Sequence, residues 1–448
     1  MADKVVTAVS APGKMLLAGG YVVLDRAYTG LVFALSARIN VLAQEIPTSE
    51  GVHLTEIVVE SPQFLEAQWR YGYHLAEEDG GIKVTQLQVG TRITANPFVE
   101  STLNYVLTYM TRTSKRFHKR ILKSARLTIL ADNDYYSHHT SSPTSSAPSI
   151  GTGRFARFPV TLSDAHKTGL GSSAALVTAL TAALLTHFLI FDLNSEDGKH
   201  LLHNLAQAAH CAAQGKVGSG FDVAAAVYGS CNYRRFSPSV LSKLPEAGKP
   251  GFATKLEDVV HGMNGIQWDT MIGKADVGLP QGVAVRMCDV DCGSQTVGMV
   301  KKVLAWRAQN PEAAEKLWGE LQHFNEALED ILKAGKTEDI SKAIRAIRIL
   351  VKEMGDESDV PIEPDSQTEL LDALEEVEGV YGGVVPGAGG YDALALLVKD
   401  DEETAQRVEQ FLDSWSKEKG GRVSLLGVKG EMEGIRMEDL TVYDGWVR

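Results

Sequence analysis

Cysteine is scarce in this chain. Its four residues among 448, Cys211, Cys231, Cys288 and Cys292, form no CxxC pair, so neither a disulfide framework nor a thiolate zinc site is indicated, and a reducing cytoplasm is the expected compartment. Excess positive charge is lacking too. The 44 Lys and Arg against 57 Asp and Glu leave a formal net charge of −13, which argues against nucleic acid or an anionic membrane as the main partner. The opening MADKVVTAVSAPGK has no apolar signal core. One uncharged stretch of 18 residues, Ala174 to Phe191, reaches only the lower limit of a membrane span and is interrupted by Thr178, Thr181, Thr186 and His187, so it reads as a buried central helix. Two familiar phosphate signatures are also missing: no glycine-rich turn ends in Gly-Lys-Ser/Thr, and no strand-borne GxGxxG is present.

What is there is an ordinary globular composition, 44% hydrophobic and 23% charged, on a chain long enough for two cores. Short apolar strands around Val5 to Val9 and Leu31 to Ile39 give an α+β start, and Leu127 to Asp132 reads as another strand. Helical patterns cover Thr91 to Met110, Glu196 to Ala213 and a short stretch from Asp222 to Gly229. The serine-, threonine- and proline-rich segment 137–152 has no apolar periodicity and reads as a surface loop. Pro238 to Gly251 marks a plausible boundary. Beyond it come helices at Thr296 to Ala308, Glu312 to Gly335, Glu338 to Met354 and Ser366 to Glu378. A strand with a glycine turn follows at GGVVPGAGGYDALALLV, and Asp401 to Glu418 closes the series as a helix. No internal repeat of fixed period is present.

The strongest chemical signal is KTGLGSSAALVTAL, Lys167 to Leu180. Gly169 and Gly171 allow a tight turn. Ser172 and Ser173 follow where the first helical N–H groups lack intrahelical partners, so donors and helix dipole converge on an anion. Taken alone, the turn reads equally well as a serine-capped connection. In APGKMLLAGGYVVLD, Lys14 follows a Pro-Gly turn at a strand end and can reach into a cleft. In QGKVGSGFDVAAAVYGS, Asp222 opens an apolar helix, as a base or simply as a dipole-facing carboxylate. Gly387, Gly389 and Gly390 form a second flexible cradle. His138 and His139 have no partners at ligand spacing, Asp356 to Asp365 reads as a solvated linker, and Arg345 and Arg348 share a helix face without an assigned role.

APGKMLLAGG, GLGSSAA and PGAGGYDA, in that order, resemble the three motifs of the GHMP kinase superfamily. AGGYVVLD, KTGLGSSAALV and AQGKVGSGFDVAAAVYG are similar to its fungal-type branch that phosphorylates 5-phosphomevalonate. The resemblance implies an α+β, two-domain fold. Its N-terminal domain, 1–235, would be ribosomal protein S5 domain 2-like, 236–275 a connector, and 276–448 a C-terminal domain with a ferredoxin-like core. It also implies an ATP- and Mg²⁺-dependent transfer of the γ-phosphoryl group to (R)-5-phosphomevalonate, in a cytoplasmic monomer or homodimer. Lys14 and Asp222 match the catalytic pair. Lys167, Gly169, Leu170, Gly171, Ser172, Ser173 and Ala174 would surround ATP, with Asn96 a candidate near adenine and Ser173 the magnesium ligand. Lys216, Ser219, Ser294, Gln295, Thr296, Gly387 and Gly389 would serve the acceptor. Mevalonate kinases carry Gly-Glu-His where Gly19-Gly20-Tyr21 stands, and a metal-binding glutamate that falls at or near His210 or Cys211. The alternatives are another GHMP kinase, such as one acting on mevalonate, and an inactive metabolite sensor of this fold.

Overall fold

The structure is a computed structural model describing residues 6–47, 49, 56–88, 94–113, 124–137, 153–189, 191–274, 277–291 and 298–447. Its spine is the antiparallel pair β1 (Val6–Ala18) and β2 (Gly30–Glu45), buried along nearly their whole length. Such continuous apolar runs belong to strands covered on both faces. Both strands outrun the expected Val5 to Val9 and Leu31 to Ile39. Pro12-Gly13 does not end β1, because a register shift between those two residues absorbs the proline and the strand continues through Lys14.

β3 (Glu56–Glu60), β4 (Gln68–Ala76) and β5 (Gly81–Leu87) extend the sheet, followed by α1 (Pro97–Thr113) and β6 (Ala125–Ala131). α1 begins at Pro97 rather than near Thr91: proline suits the first helical position, and the Asn96 side chain accepts from the Val99 N–H. Next come α2 (Ser172–Phe188), α3 (Glu196–Gln214), α4 (Phe221–Tyr228) and β7 (Cys231–Arg234). α2 is the expected central helix, apolar all round because it packs on β1 and β2 with one side and on α1 and α3 with others. Among the described residues no helix is long and apolar enough to cross a membrane. The 236–275 segment holds α5 (Ser239–Ser242), α6 (Phe252–His261) and β8 (Met271–Gly273), and α6 buries Phe252, Leu256 and Val259.

The remaining elements are β9 (Val283–Asp291), α7 (Met299–Gln309), α8 (Pro311–Ala334), α9 (Ile340–Ser358), α10 (Asp365–Glu375), β10 (Val380–Val384), β11 (Ala393–Lys399), α11 (Glu402–Lys419), β12 (Arg422–Glu431) and β13 (Arg436–Met437). β10, β11, β9 and β12 lie in that spatial order, all antiparallel. With helices between the first and second and between the third and fourth strands of the sequence, this is the ferredoxin-like core. Gly430 and Glu431 of β12 pair with Leu35 and Ala34 of β2, so one sheet runs through both halves. The chain then returns to its start: β13 pairs with β1, and the buried Tyr443 hydroxyl donates to Asn40 Oδ1 at 2.9 Å.

α7 buries Met299, Val303 and Trp306, with Val300 partly buried against the same core and Leu304 exposed. One expectation about the second half is corrected. Asp356 to Asp365 is no solvated linker, because Glu363 is buried and receives Arg348 of α9 at 2.7 Å. Arg348, only 6% exposed, also reaches Asp372 and Glu375.

Candidate active site

The phosphate-type loop is fastened directly to β1. The Lys14 N–H donates to the Leu170 carbonyl at 2.8 Å, and Thr168 Oγ donates to the Asp134 carbonyl at 2.5 Å. Gly171, at φ +81°, caps α2 in the left-handed region, and a Cβ there would come within 2.7 Å of Lys14 Cγ. Only glycine satisfies both conditions. No side chain caps α2, so its first N–H groups are left to a ligand. Ser172 and Ser173 stand half-buried at this end, whereas Leu170 and Ala174 are buried in the core and offer the site only backbone. Lys167 is exposed beside them.

Lys14 Nζ lies 3.5 Å from the Gly169 carbonyl and 5.7 Å from the Phe221 ring centre. Burial lowers the Lys14 pKa, and the charge of Asp222 opposes that shift. Asp222 sits in the first turn of α4. The loop leading to it is held from beneath: Arg235 donates to the Gly218 carbonyl at 2.9 Å, and the Tyr233 hydroxyl to the Ser219 carbonyl at 2.8 Å. Lys216 on that loop is exposed.

Between the serine turn and the aspartate stands His210. Its Nε2 is 3.2 Å from Ser173 Oγ and 3.3 Å from Gln214 Nε2, and its Nδ1 is 3.8 Å from Asp222 Oδ2. Nδ1 is the nitrogen facing the Asp222 carboxylate, where a lone pair would be repelled, which puts the ring proton on Nδ1 and leaves Nε2 to accept.

The late glycine loop meets the same place. Gly390 N–H donates to the Ile362 carbonyl at 2.9 Å, and a Cβ on Gly389, at φ +77°, would come within 2.2 Å of that oxygen. Gly389 is thus required by close packing, while Gly387 borders open space. The Tyr21 hydroxyl donates to the Ala388 carbonyl at 2.7 Å, and the Gly169 turn approaches Ala393 at the start of β11. Lys14, Ser173 and Asp222 are therefore gathered at the start of α2, and the Gly387 loop is tied to the Gly19–Tyr21 turn beyond the end of β1.

The sequence profile of the GHMP kinases N terminal domain matches residues 157–230, and that of the GHMP kinases C terminal matches 327–417. The phosphomevalonate kinase of Gibberella zeae is 66% identical over 98% of both chains, and that of Aspergillus fumigatus 48% identical over 99% of both. The chain belongs to the phosphomevalonate kinase family. Among solved structures, the Streptococcus pneumoniae phosphomevalonate kinase in complex with phosphomevalonate and AMPPNP superposes with a TM-score of 0.59 at 17% identity. That match covers 96% of this chain and 99% of the other and shows the shared fold.

A phosphomevalonate kinase family member needs room for a nucleotide base, and a cleft opens beside the serine turn. Trp69, Asn96, Phe98 and Tyr136 line it together with Lys167, Ser172 and Ser173. Asn96 contributes to its wall, although its side-chain oxygen is engaged by α1. Ser294, Gln295 and Thr296 lie outside the described residues, as do His138, His139 and most of the 137–152 segment. Sequence reasoning assigned no role to Tyr21, His210, Gln214, Tyr233 or Arg235. The run of small residues GSG before Asp222 was the one available signal, since such a loop needs anchors from elsewhere.

Proposed function

We propose that this family member transfers the γ-phosphoryl group of ATP to the phosphate of (R)-5-phosphomevalonate, giving (R)-5-diphosphomevalonate and ADP. The observation that carries the reading is the convergence of Lys14, the uncapped serine turn and Asp222. An acceptor phosphate oxygen attacks Pγ, the Pγ–O bond to the β-phosphate breaks, and ADP leaves with the electron pair. A phosphate monoester has its second pKa at about 6, so the acceptor is already largely dianionic at neutral pH and no base is needed to deprotonate it. Asp222 then orients Lys14 and the acceptor, and the Lys14 ammonium offsets charge on the moving phosphoryl group. The α2 N–H groups and Ser172 hold nucleotide phosphates, and the Trp69–Phe98 cleft takes the base. Lys167 and Lys216 clamp the two polyanions, with Ser219, the Ser294–Thr296 segment and Gly387 on the acceptor side.

Magnesium suits this donor set in a sparse form. The ion favours oxygen ligands, keeps several waters and takes one or two protein ligands plus phosphates. Among the described residues no group of three His, Cys, Asp or Glu is arranged for a metal. Ser173 Oγ, whose hydrogen has an acceptor in His210, is the oxygen that would hold it. When bound, the ion neutralises charge on the β- and γ-phosphate oxygens. We place the enzyme in the cytoplasm as a monomer or homodimer without nucleic-acid or membrane partners, with 1–235, 236–275 and 276–448 as its working divisions. The buried free thiols Cys211, Cys231 and Cys288 support a reducing compartment.

ADP release measured with phosphomevalonate and with mevalonate tests the reading. Turnover of phosphomevalonate is expected, and activity with mevalonate alone overturns the choice of acceptor.

A further inference from the structure

Resting on the phosphoryl-transfer reading above, we propose that His210 is a positioning residue that sets two groups of the site at once: Nε2 takes the Ser173 hydroxyl hydrogen, and Nδ1–H turns the Asp222 carboxylate. The imidazole is only 2% exposed, and its ring lies against Phe98 with centres 5.8 Å apart. It is therefore held in place rather than free to rotate. Gln214, one turn further along α3, packs its amide 3.3 Å from the same Nε2.

The consequence for Ser173 follows from hydroxyl chemistry. A serine oxygen carries one hydrogen and two lone pairs. With the hydrogen directed at Nε2, the lone pairs are turned toward the cleft, where they suit a cation and not a phosphate oxygen. A carboxylate at position 210 would add negative charge beside Asp222. An imidazole directs the serine through a ring nitrogen without adding that negative charge. At 3.8 Å the Nδ1–H is too far from Asp222 Oδ2 for a full hydrogen bond, so it orients the carboxylate through electrostatic attraction.

Two substitutions separate the two contacts. In His210→Asn the amide falls near the Nδ1 position, keeping the group that faces Asp222 and losing the one that faces Ser173. In His210→Gln the amide reaches the Nε2 position and the reverse holds. Calorimetric binding of AMPPNP with magnesium, which needs no acceptor, reads the serine arm, and steady-state kcat with phosphomevalonate reads the aspartate arm. His210→Asn is expected to raise the analogue Kd about five- to tenfold, with kcat within about threefold of wild type. His210→Gln is expected to leave the Kd within about twofold and to lower kcat about tenfold. Thermal unfolding confirms that both variants are folded. Equal losses of both quantities in both variants, or an unchanged Kd in His210→Asn, would overturn the proposal. Wild-type protein inert toward phosphomevalonate refutes the assigned reaction instead, and the Kd pattern then decides the role of His210.

Discussion

Tyr21 and Ala388, 367 positions apart, are joined by a 2.7 Å hydrogen bond from the phenol to the backbone carbonyl. Tyr21 is buried and sits at φ +62° and ψ −47°, a conformation that costs a non-glycine residue energy and persists only where its surroundings enforce it. Burial also raises its pKa, so the phenol stays protonated and remains a donor. The bond holds the Gly19-Gly20-Tyr21 turn of one half against the glycine loop of the other.

Tyr21→Phe removes only that bond. A loss of about 1 kcal/mol is expected, read as a several-fold rise in KM for phosphomevalonate, with KM for ATP changed far less. An equal rise in both constants would contradict a role specific to the acceptor side.

Lys14→Met keeps the side-chain stem that packs on Gly171 and removes the charge. Turnover is expected to fall by about 10²–10³-fold, the scale of losing one preorganised electrostatic group, while the protein remains folded by circular dichroism. Near-normal kcat would refute the role given to Lys14.

Gly171→Ala places a methyl group where φ is +81° and Lys14 Cγ lies within 2.7 Å. Strain of roughly 1–3 kcal/mol is expected. Because it falls on the loop itself, AMPPNP affinity should drop at least about tenfold by calorimetry, more than the change in global stability would account for.

Arg348→Met leaves Glu363 buried without its cation. The expected cost is about 3–5 kcal/mol in urea unfolding, whereas Arg348→Met with Glu363→Met should cost less than the two single substitutions added together, since the orphaned charge is gone. Additive losses would mean that the pair does not act as a unit.

Burial pushes the His203 pKa down to about 4 from an ordinary 6.5, while the Asn204 contact works weakly the other way. The unfolded chain therefore binds a proton that the folded chain refuses. The stability linked to this residue is complete above pH 6.5 and is lost as pH falls from 6.5 toward 4, by about 1.4 kcal/mol per pH unit. His203→Leu should flatten the stability profile between pH 6.5 and 5, and an unchanged slope there would show that other groups carry it.

The readable and unreadable parts of this site differ in kind. KTGLGSSAA announced itself because a left-handed glycine, hydroxyls and a helix start are all written within a few residues, and α2 was legible because its apolar run is local. Pro12-Gly13 misled, since the same dipeptide that ends strands elsewhere is absorbed by a bulge in this one. The Arg348–Glu363 pair was not legible, because sequence periodicity gives a helix face but not what packs upon it.

The sequence by itself determined the chemistry available: a lysine after Pro-Gly, an aspartate opening an apolar helix, two glycine cradles, and neither paired cysteines nor an excess of positive charge to support other functions. Tertiary structure alone decided that His210 stands between Ser173 and Asp222, and that Tyr21 reaches across to Ala388. The physical reason is range. Capping, turn conformation and periodicity are fixed by neighbours within a few residues, whereas the hydrogen-bond partner of a buried side chain comes from wherever the packed sheet and helices place a donor or acceptor within about 3 Å.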